Sequence, residues 1–218
     1  MIHYGIPRTR RAMTIHYPSG NTRDIMRVIM RVVNRPELLQ QVADKAEQYR
    51  AKSEGELPEK LHQLWRWVHH NFIYKEDPVG KQYIKHPART YWDAMEGKYA
   101  DCKSYTVFIS MVLQKMGVPH LIRFTSYRDD KRIQHVYPVA IVEGKEIILD
   151  AIKGAKFNHE YPYTKKIDKI PNSVRDVAES IAGIGSSIGK SVNLGQILRK
   201  GIKIAFVWWL GRIISKNT

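Results

Sequence analysis

The sequence predicts an α+β fold in which a helix opened by the chain's only cysteine packs on an antiparallel sheet formed by the segments after it. Three observations carry that expectation. Apolar residues recur at three- and four-residue spacing from Leu61 to Phe72 and from Tyr105 to Met116, which is the helical period. Stretches at 120–127, 134–142 and 145–151 are rich in Ile, Val, Phe and Tyr and read as strands, with Glu143-Gly144 as the turn between the last two. With 218 residues and 43% hydrophobic content, the chain can bury one main core with appendages, but not two large domains.

The first twenty residues combine Arg8, Arg10 and Arg11 with Pro7, Pro18 and Gly20, lack periodicity, and read as an extended arm. A helix follows from Asn21 or Thr22 through Ile25, Met26, Ile29, Met30 and Val33. A second opens with Pro36 in its first turn and runs to about Tyr49. Residues 1–56 thus form a basic arm and helical lead-in. Pro58 opens a third helix, whose Leu61, Leu64, Trp65, Val68 and Phe72 form one apolar stripe, while Trp67, His69 and His70 lie off it. The Pro-, Gly- and Tyr-rich text from Ile73 to Lys98 has no clean period and reads as a long ordered loop with short helical pieces. Asp101 is placed to cap a helix starting at Cys102, with Tyr105, Phe108, Ile109, Val112 and Met116 on its apolar face. Gly117 ends that helix, and Pro119 prevents its continuation. After Pro171 the composition shifts to glycine-punctuated Ala/Ile/Ser text, so a boundary is placed near 170, separating a core at 57–170 from a tail at 171–218.

Charge is unevenly spread. The total is +15, yet residues 57–150 hold 14 Lys/Arg against 11 Asp/Glu, while residues 151–218 hold 12 against 4. A nearly neutral middle with basic ends suits a catalytic or packing core whose ends touch nucleic acid, a lipid surface or an acidic partner; a solubilising surface charge accounts for it equally well. One cysteine excludes an intrachain disulfide. With no signal-peptide pattern at the N-terminus, the expected location is cytoplasmic, or a virion if the chain is phage-encoded.

A cysteine in the first turn of a helix is chemically notable because the thiolate is the nucleophile, and the helix N-terminus offers partial positive charge and unpaired N–H groups. Lys103 adds a cation beside it, and the same N–H groups can serve an oxyanion hole. A lone cysteine opening an apolar helix is also an ordinary small buried residue. His135 and Asp150 change the balance. If Glu143 and Gly144 form the turn, Val142 pairs with Lys145, His135 faces Ile152, and Asp150 lies diagonally on the same side of the sheet, about 7–8 Å away by backbone position. A side-chain bond between them would fix the imidazole tautomer and leave the other ring nitrogen to take the thiol proton.

The stretches Tyr99-Ala100-Asp101-Cys102-Lys103-Ser104, Leu113 to Pro119, His135-Val136-Tyr137 and Ile148-Leu149-Asp150 resemble the transglutaminase-like branch of the papain-like cysteine enzymes. The likeness covers about 57–152 and includes Trp65, Val68, Asn71, Phe72, Tyr74 and Asp77, with the approach from Pro87 to Trp92. It implies a papain-like core in which Cys102, His135 and Asp150 form a catalytic triad in chain order. More narrowly, the helical lead-in, FIYKEDPVGKQYIKHPART and FNHEYPYTKKID look like transglutaminase-like proteins encoded among tailed-phage and prophage structural genes. Lys103 stands where many bacterial relatives carry an acidic residue. Members of the family act as peptidases, amidases or cross-linking acyltransferases, and some have lost activity.

Other features carry less chemistry. The adjacent His69 and His70 point different ways on a helix and have no zinc-spaced companions, so no metal is expected, and no cofactor. Gly183-Ile184-Gly185 with Gly189-Lys190-Ser191 lacks phosphate-loop spacing. Trp92 and Asp101, with Lys103, are candidates for lining the acyl site. No acidic residue follows Glu179, and Lys200, Lys203, Trp208 and Trp209 fall on a basic, apolar segment. Its apolar run, Ile204 to Gly211, is too short to span a bilayer and suits an interfacial helix or one docked in an assembly. The expected function is cysteine-dependent acyl transfer on a peptide or amide substrate. The rival is a non-catalytic assembly protein of a virion that uses the fold as a scaffold.

Overall fold

The computed structural model describes residues 6, 12–16, 22–78, 80–129 and 132–174. Through these the chain runs β1 (Ala12–His16), α1 (Thr22–Val33), a 3-10 segment (Pro36–Val42), α2 (Ala43–Gln48), α3 (Leu57–Asn71), β2 (Ile73–Tyr74) and β3 (Lys81–Lys85). It continues through α4 (Pro87–Met95), β4 (Tyr99–Ala100), α5 (Cys102–Met116), β5 (His120–Ser126), β6 (His135–Val142), β7 (Lys145–Ile148) and β8 (Lys165–Lys169). Helices and strands mix as the α+β expectation requires.

Helix α5 is the axis of the fold. Asp101 accepts a hydrogen bond from the Ser104 N–H (3.2 Å) at its start, and Gly117 takes the left-handed conformation (φ +74°) that ends it. The sequence suggests one apolar face, yet every residue from Cys102 to Leu113 is buried. The sheet covers one side, and α1, the 3-10 segment, α2, α4 and β3 cover the others.

The main sheet has four antiparallel strands in the order β7-β6-β5-β8. Strands β5 and β6 are buried along their whole length, so both faces are covered. Ile122, Phe124, Val136, Ala140 and Ile147 join the α5 core, and the Thr106 hydroxyl donates to the Val136 carbonyl (3.0 Å). On the other face Leu121, Tyr137, Val139, Ile141 and Ile148 gather with Val174. Arg123, fully buried, is neutralised there by Asp168 on β8, Glu146 on β7 and Glu160 at 2.6–3.0 Å, which ties three strands together.

The β6–β7 register is the expected one: Val142 pairs with Lys145 and Val139 with Ile148. Glu143 (φ +50°) and Gly144 (φ +75°) both adopt left-handed conformations, as a two-residue hairpin turn requires. Strand β7, expected to reach 151, stops at Ile148. Leu149 N–H still bonds the Pro138 carbonyl (3.0 Å), but the Asp150 and Ala151 carbonyls turn to side chains of α3.

Several segments differ from the sequence reading. The loop expected at 73–98 with short helical pieces does hold a helix, α4, but it also holds two strands: β2, paired in parallel with β4 (Tyr74 beside Ala100), and β3. Strand β3 pairs with β1, so part of the extended arm is a strand. The second helix divides into the 3-10 turn and the short α2. Strand β8, KKIDK, has no apolar alternation to betray it; as a charged edge strand it resists further pairing. Trp67, placed off the α3 stripe, stacks on Tyr91 (5.8 Å) and packs near Phe72 and Phe108. Beyond β8, the Asn172 N–H bonds Asn34 (2.8 Å) and the Ser173 hydroxyl bonds Gln114 (2.6 Å). The rest of the tail, with Lys200, Lys203, Trp208 and Trp209, lies outside the described residues. Among the described residues no helix is long and apolar enough to cross a membrane.

Candidate active site

Cys102 is the first residue of α5, delivered there by the short β2–β4 pairing and the Asp101 cap. It is buried at 8% exposure. Burial pushes its thiol up to about 12; the nearby Asp150 and Asp77 carboxylates act in the same direction, against the Val136 and Lys103 backbone N–H groups. Burial thus favours the thiol form, against the thiolate that helix position and Lys103 suggest.

The reason lies in where Lys103 sends its charge. Its ammonium pairs with Asp77 (3.2 Å) and with Asp101, and all three side chains are nearly buried. The cation is spent on carboxylates rather than on sulfur. Asp77 also accepts the Tyr83 N–H (2.7 Å), so this cluster ties the middle of β3 to the start of α5.

His135 opens β6. Its Nε2–H donates to Asp150 Oδ2 at 2.7 Å, and both side chains are buried. A carboxylate only accepts, so this bond assigns the proton to Nε2 and leaves Nδ1 as the ring's acceptor. Tyr127 and Tyr137 flank the imidazole, with ring centres at 6.2 and 5.4 Å.

Asp150 and its neighbour Ala151 are held at three points. The Trp65 indole N–H donates to the Asp150 main-chain carbonyl, and His69, one helical turn along α3, bonds the next carbonyl, Ala151, at 3.3 Å. Asp150 Oδ1 accepts from the Ile152 N–H at 3.4 Å, leaving Oδ2 aimed at the histidine. Trp65 and His69 stack on each other at 4.7 Å. The sequence places Trp65 on the apolar stripe and His69 off it and assigns neither to the support of Asp150, although their spacing of four on one helix is the available signal.

Cys102 and His135 line one cavity of about 80 Å³ with Lys103, Gln82, Gln134 and the α1 residues Ile25, Met26 and Ile29. Of the two links expected between the three groups, ring to carboxylate is a hydrogen bond; sulfur and ring share the cavity with no hydrogen bond between them among the described residues. Tyr74 is a further neighbour. It sits in register with Ala100, and its phenol is pushed up by burial and by Cys102, Glu76, Asp150 and Asp77.

The other two candidate lining residues, Trp92 and Asp101, are not among the residues that line this cavity. The Trp92 indole N–H donates to the Ile6 carbonyl (3.2 Å), and Asp101 spends its oxygens on Ser104 and Lys103. Among the described residues no group of His, Cys, Asp or Glu is arranged to hold a metal ion.

No protein-family model matches the chain, and no curated protein matches it. Among solved structures, the chain is similar to a candidate cysteine protease from Cytophaga hutchinsonii, at 13% identity and a TM-score of 0.39, over 65% of this chain and 55% of that one. The chain therefore covers little more than half of that protein's length, and a likeness at this level carries no argument about chemistry. What can be argued about function rests on the geometry of Cys102, His135 and Asp150.

Proposed function

We propose that the chain is a cysteine-dependent acyl-transfer enzyme of the transglutaminase-like class, acting on a peptide or other amide. The observation that carries the reading is the buried 2.7 Å bond from His135 Nε2 to Asp150 beside the cavity that holds Cys102. In the first half-reaction His135 Nδ1 takes the thiol proton as sulfur bonds to the amide carbon; the carbon–nitrogen bond then breaks, and the departing amine receives that proton. The Lys103 main-chain N–H, which lies against the Cys102 sulfur at the start of α5, is proposed to meet the oxyanion. Water or a second amine, deprotonated by His135, then attacks the thioester and restores the thiol. Water makes the chain a peptidase or amidase, and an amine makes it a cross-linking acyltransferase.

Burial of Cys102, which disfavours its thiolate, gives His135 a particular duty in this reading. The proton leaves during attack rather than beforehand, so His135 acts as a general base and not as half of a resting ion pair. The test compares turnover of activated amides and esters by wild type, Cys102→Ala and His135→Ala. Loss of turnover in both variants, with folding intact, is expected; equal turnover by wild type and Cys102→Ala on every acyl substrate removes the enzymatic reading.

The burial of Cys102 favours a second reading, a non-catalytic scaffold within a virion or other assembly. In either case residues 171–218 are proposed to attach the protein to an assembly, an anionic membrane or nucleic acid. Binding to lipid or nucleic acid would weaken with added salt, whereas protein docking would depend on it less.

A further inference from the structure

The cavity beside Cys102 constrains what can be presented to the thiol. It measures about 80 Å³. On this measure a water needs roughly 10–15 Å³ and an enclosed engineered cavity of about 150 Å³ accommodates benzene, so the pocket, which is half open to solvent, encloses room for a short aliphatic chain and less than an aromatic ring fills. Its wall is largely apolar: Ile25, Met26 and Ile29 from α1 face Phe124 and Ile133.

Charge is equally restricted. Lys103 is the one cation-bearing lining residue apart from His135 among those described, and it is already paired with Asp77 and Asp101. Asp150 is engaged by His135. A carboxylate or ammonium entering the cavity would lose its hydration without gaining a counter-ion, and that is costly. The polar groups left are neutral. Gln134 accepts the Tyr127 N–H, while the Gln82 side chain has no hydrogen-bond partner among the described residues.

We infer that this site accepts a short, neutral, aliphatic acyl group, its carbon chain lodged against Ile25, Met26 and Ile29, with Gln82 meeting the substrate's own amide. The inference rests on the acyl-transfer reading of Cys102. It goes further by making α1, outside the triad elements, the determinant of acyl specificity.

The test uses three chloromethyl ketones carrying a propyl group, a carboxylate-ended chain of similar length, or a benzyl group. Alkylation forms a sulfur–carbon bond, expels chloride and releases the thiol proton. The chain has a single cysteine, so an adduct that forms on wild type and is absent from Cys102→Ala reports that thiol, whereas one that persists in Cys102→Ala sits on another nucleophile such as a histidine. With each rate divided by that of the same reagent with free cysteine, the propyl reagent should react roughly tenfold or more faster than the other two. Met26→Ala should narrow its lead over the benzyl reagent, and Ile29→Ala provides the same readout if Met26→Ala fails to fold.

Rates independent of the group, or a preference for the charged or bulky reagent, would overturn the inference, as would the absence of any adduct. The acyl-transfer reading is judged separately, from the acceleration over free cysteine and its loss in His135→Ala. A preference without acceleration removes that reading and leaves the cavity without a reaction; acceleration without preference removes this inference alone.

Discussion

Trp65 on α3 donates its indole N–H to the main-chain carbonyl of Asp150, 85 positions away in the chain. Through that bond a helix that contributes no reacting atom sets the direction of the carboxylate that orients His135. Trp65→Phe keeps the ring against Phe157 but leaves the carbonyl without its donor. Stability should fall by about 1–2 kcal/mol in urea denaturation. The acyl-transfer rate should fall by roughly ten- to a hundredfold, mainly in kcat, because small displacements of an orienting group are costly. An unchanged kcat would show that the anchor does not position Asp150.

Lys103 is enclosed by two carboxylates whose only other described donors are backbone N–H groups. Lys103→Met should destabilise the domain by about 3–5 kcal/mol, since removing one partner leaves buried charge uncompensated. Adding Asp77→Asn should recover part of the loss. A loss below about 1 kcal/mol in the single variant would mean that the cluster is hydrated and contributes little.

His120 is fully buried, with Nδ1–H on the Val118 carbonyl (2.9 Å) and Nε2 accepting from the Ser110 hydroxyl (2.8 Å). Burial lowers its pKa from 6.5 to about 4. The unfolded chain therefore gains a proton here before the folded one does, so stability is present above pH 6.5 and is lost as pH falls toward 4. The loss is on the order of 3 kcal/mol. His120→Gln should flatten this limb of the stability profile. An equally steep limb in the variant would place the acid sensitivity elsewhere.

Cys102 titrates in the opposite direction. With its thiol pushed from 9.0 to about 12, the unfolded chain releases the proton first, so the contribution is intact below pH 9 and is lost as pH rises toward 12. Ultraviolet absorbance of the thiolate should appear only in strongly alkaline solution. Thiolate absorbance at pH 7 would establish a preformed ion pair with His135 and contradict the general-base mechanism.

The sequence made some of this legible for definite reasons. Asp101, Cys102 and Gly117 bracket α5 because cap and terminator chemistry is local, and the β6–β7 register follows from a two-residue turn that only its flanking residues set. The meeting of His135 and Asp150 was calculable from that register. The parts that escaped depend on distant partners. Strands β1 and β3 stabilise each other although Ala12 and its partner Lys85 lie far apart in the chain, and β8 is specified by Arg123 drawing in Asp168 rather than by its own apolar pattern. The sign of the Cys102 shift escaped for a similar reason: sequence places Lys103 beside the thiol, whereas the fold turns its ammonium to Asp77 and Asp101.

The central claim is that Cys102 forms a thioester with the help of His135. Its most direct measurement is the intact mass of the protein quenched in acid during reaction with an activated short-chain acyl ester. The account expects one acyl adduct on wild type, labile to hydroxylamine as a thioester is, absent from Cys102→Ala and formed far more slowly by His135→Ala. No hydroxylamine-labile adduct on wild type, or an adduct that forms at the same rate without His135, would contradict it.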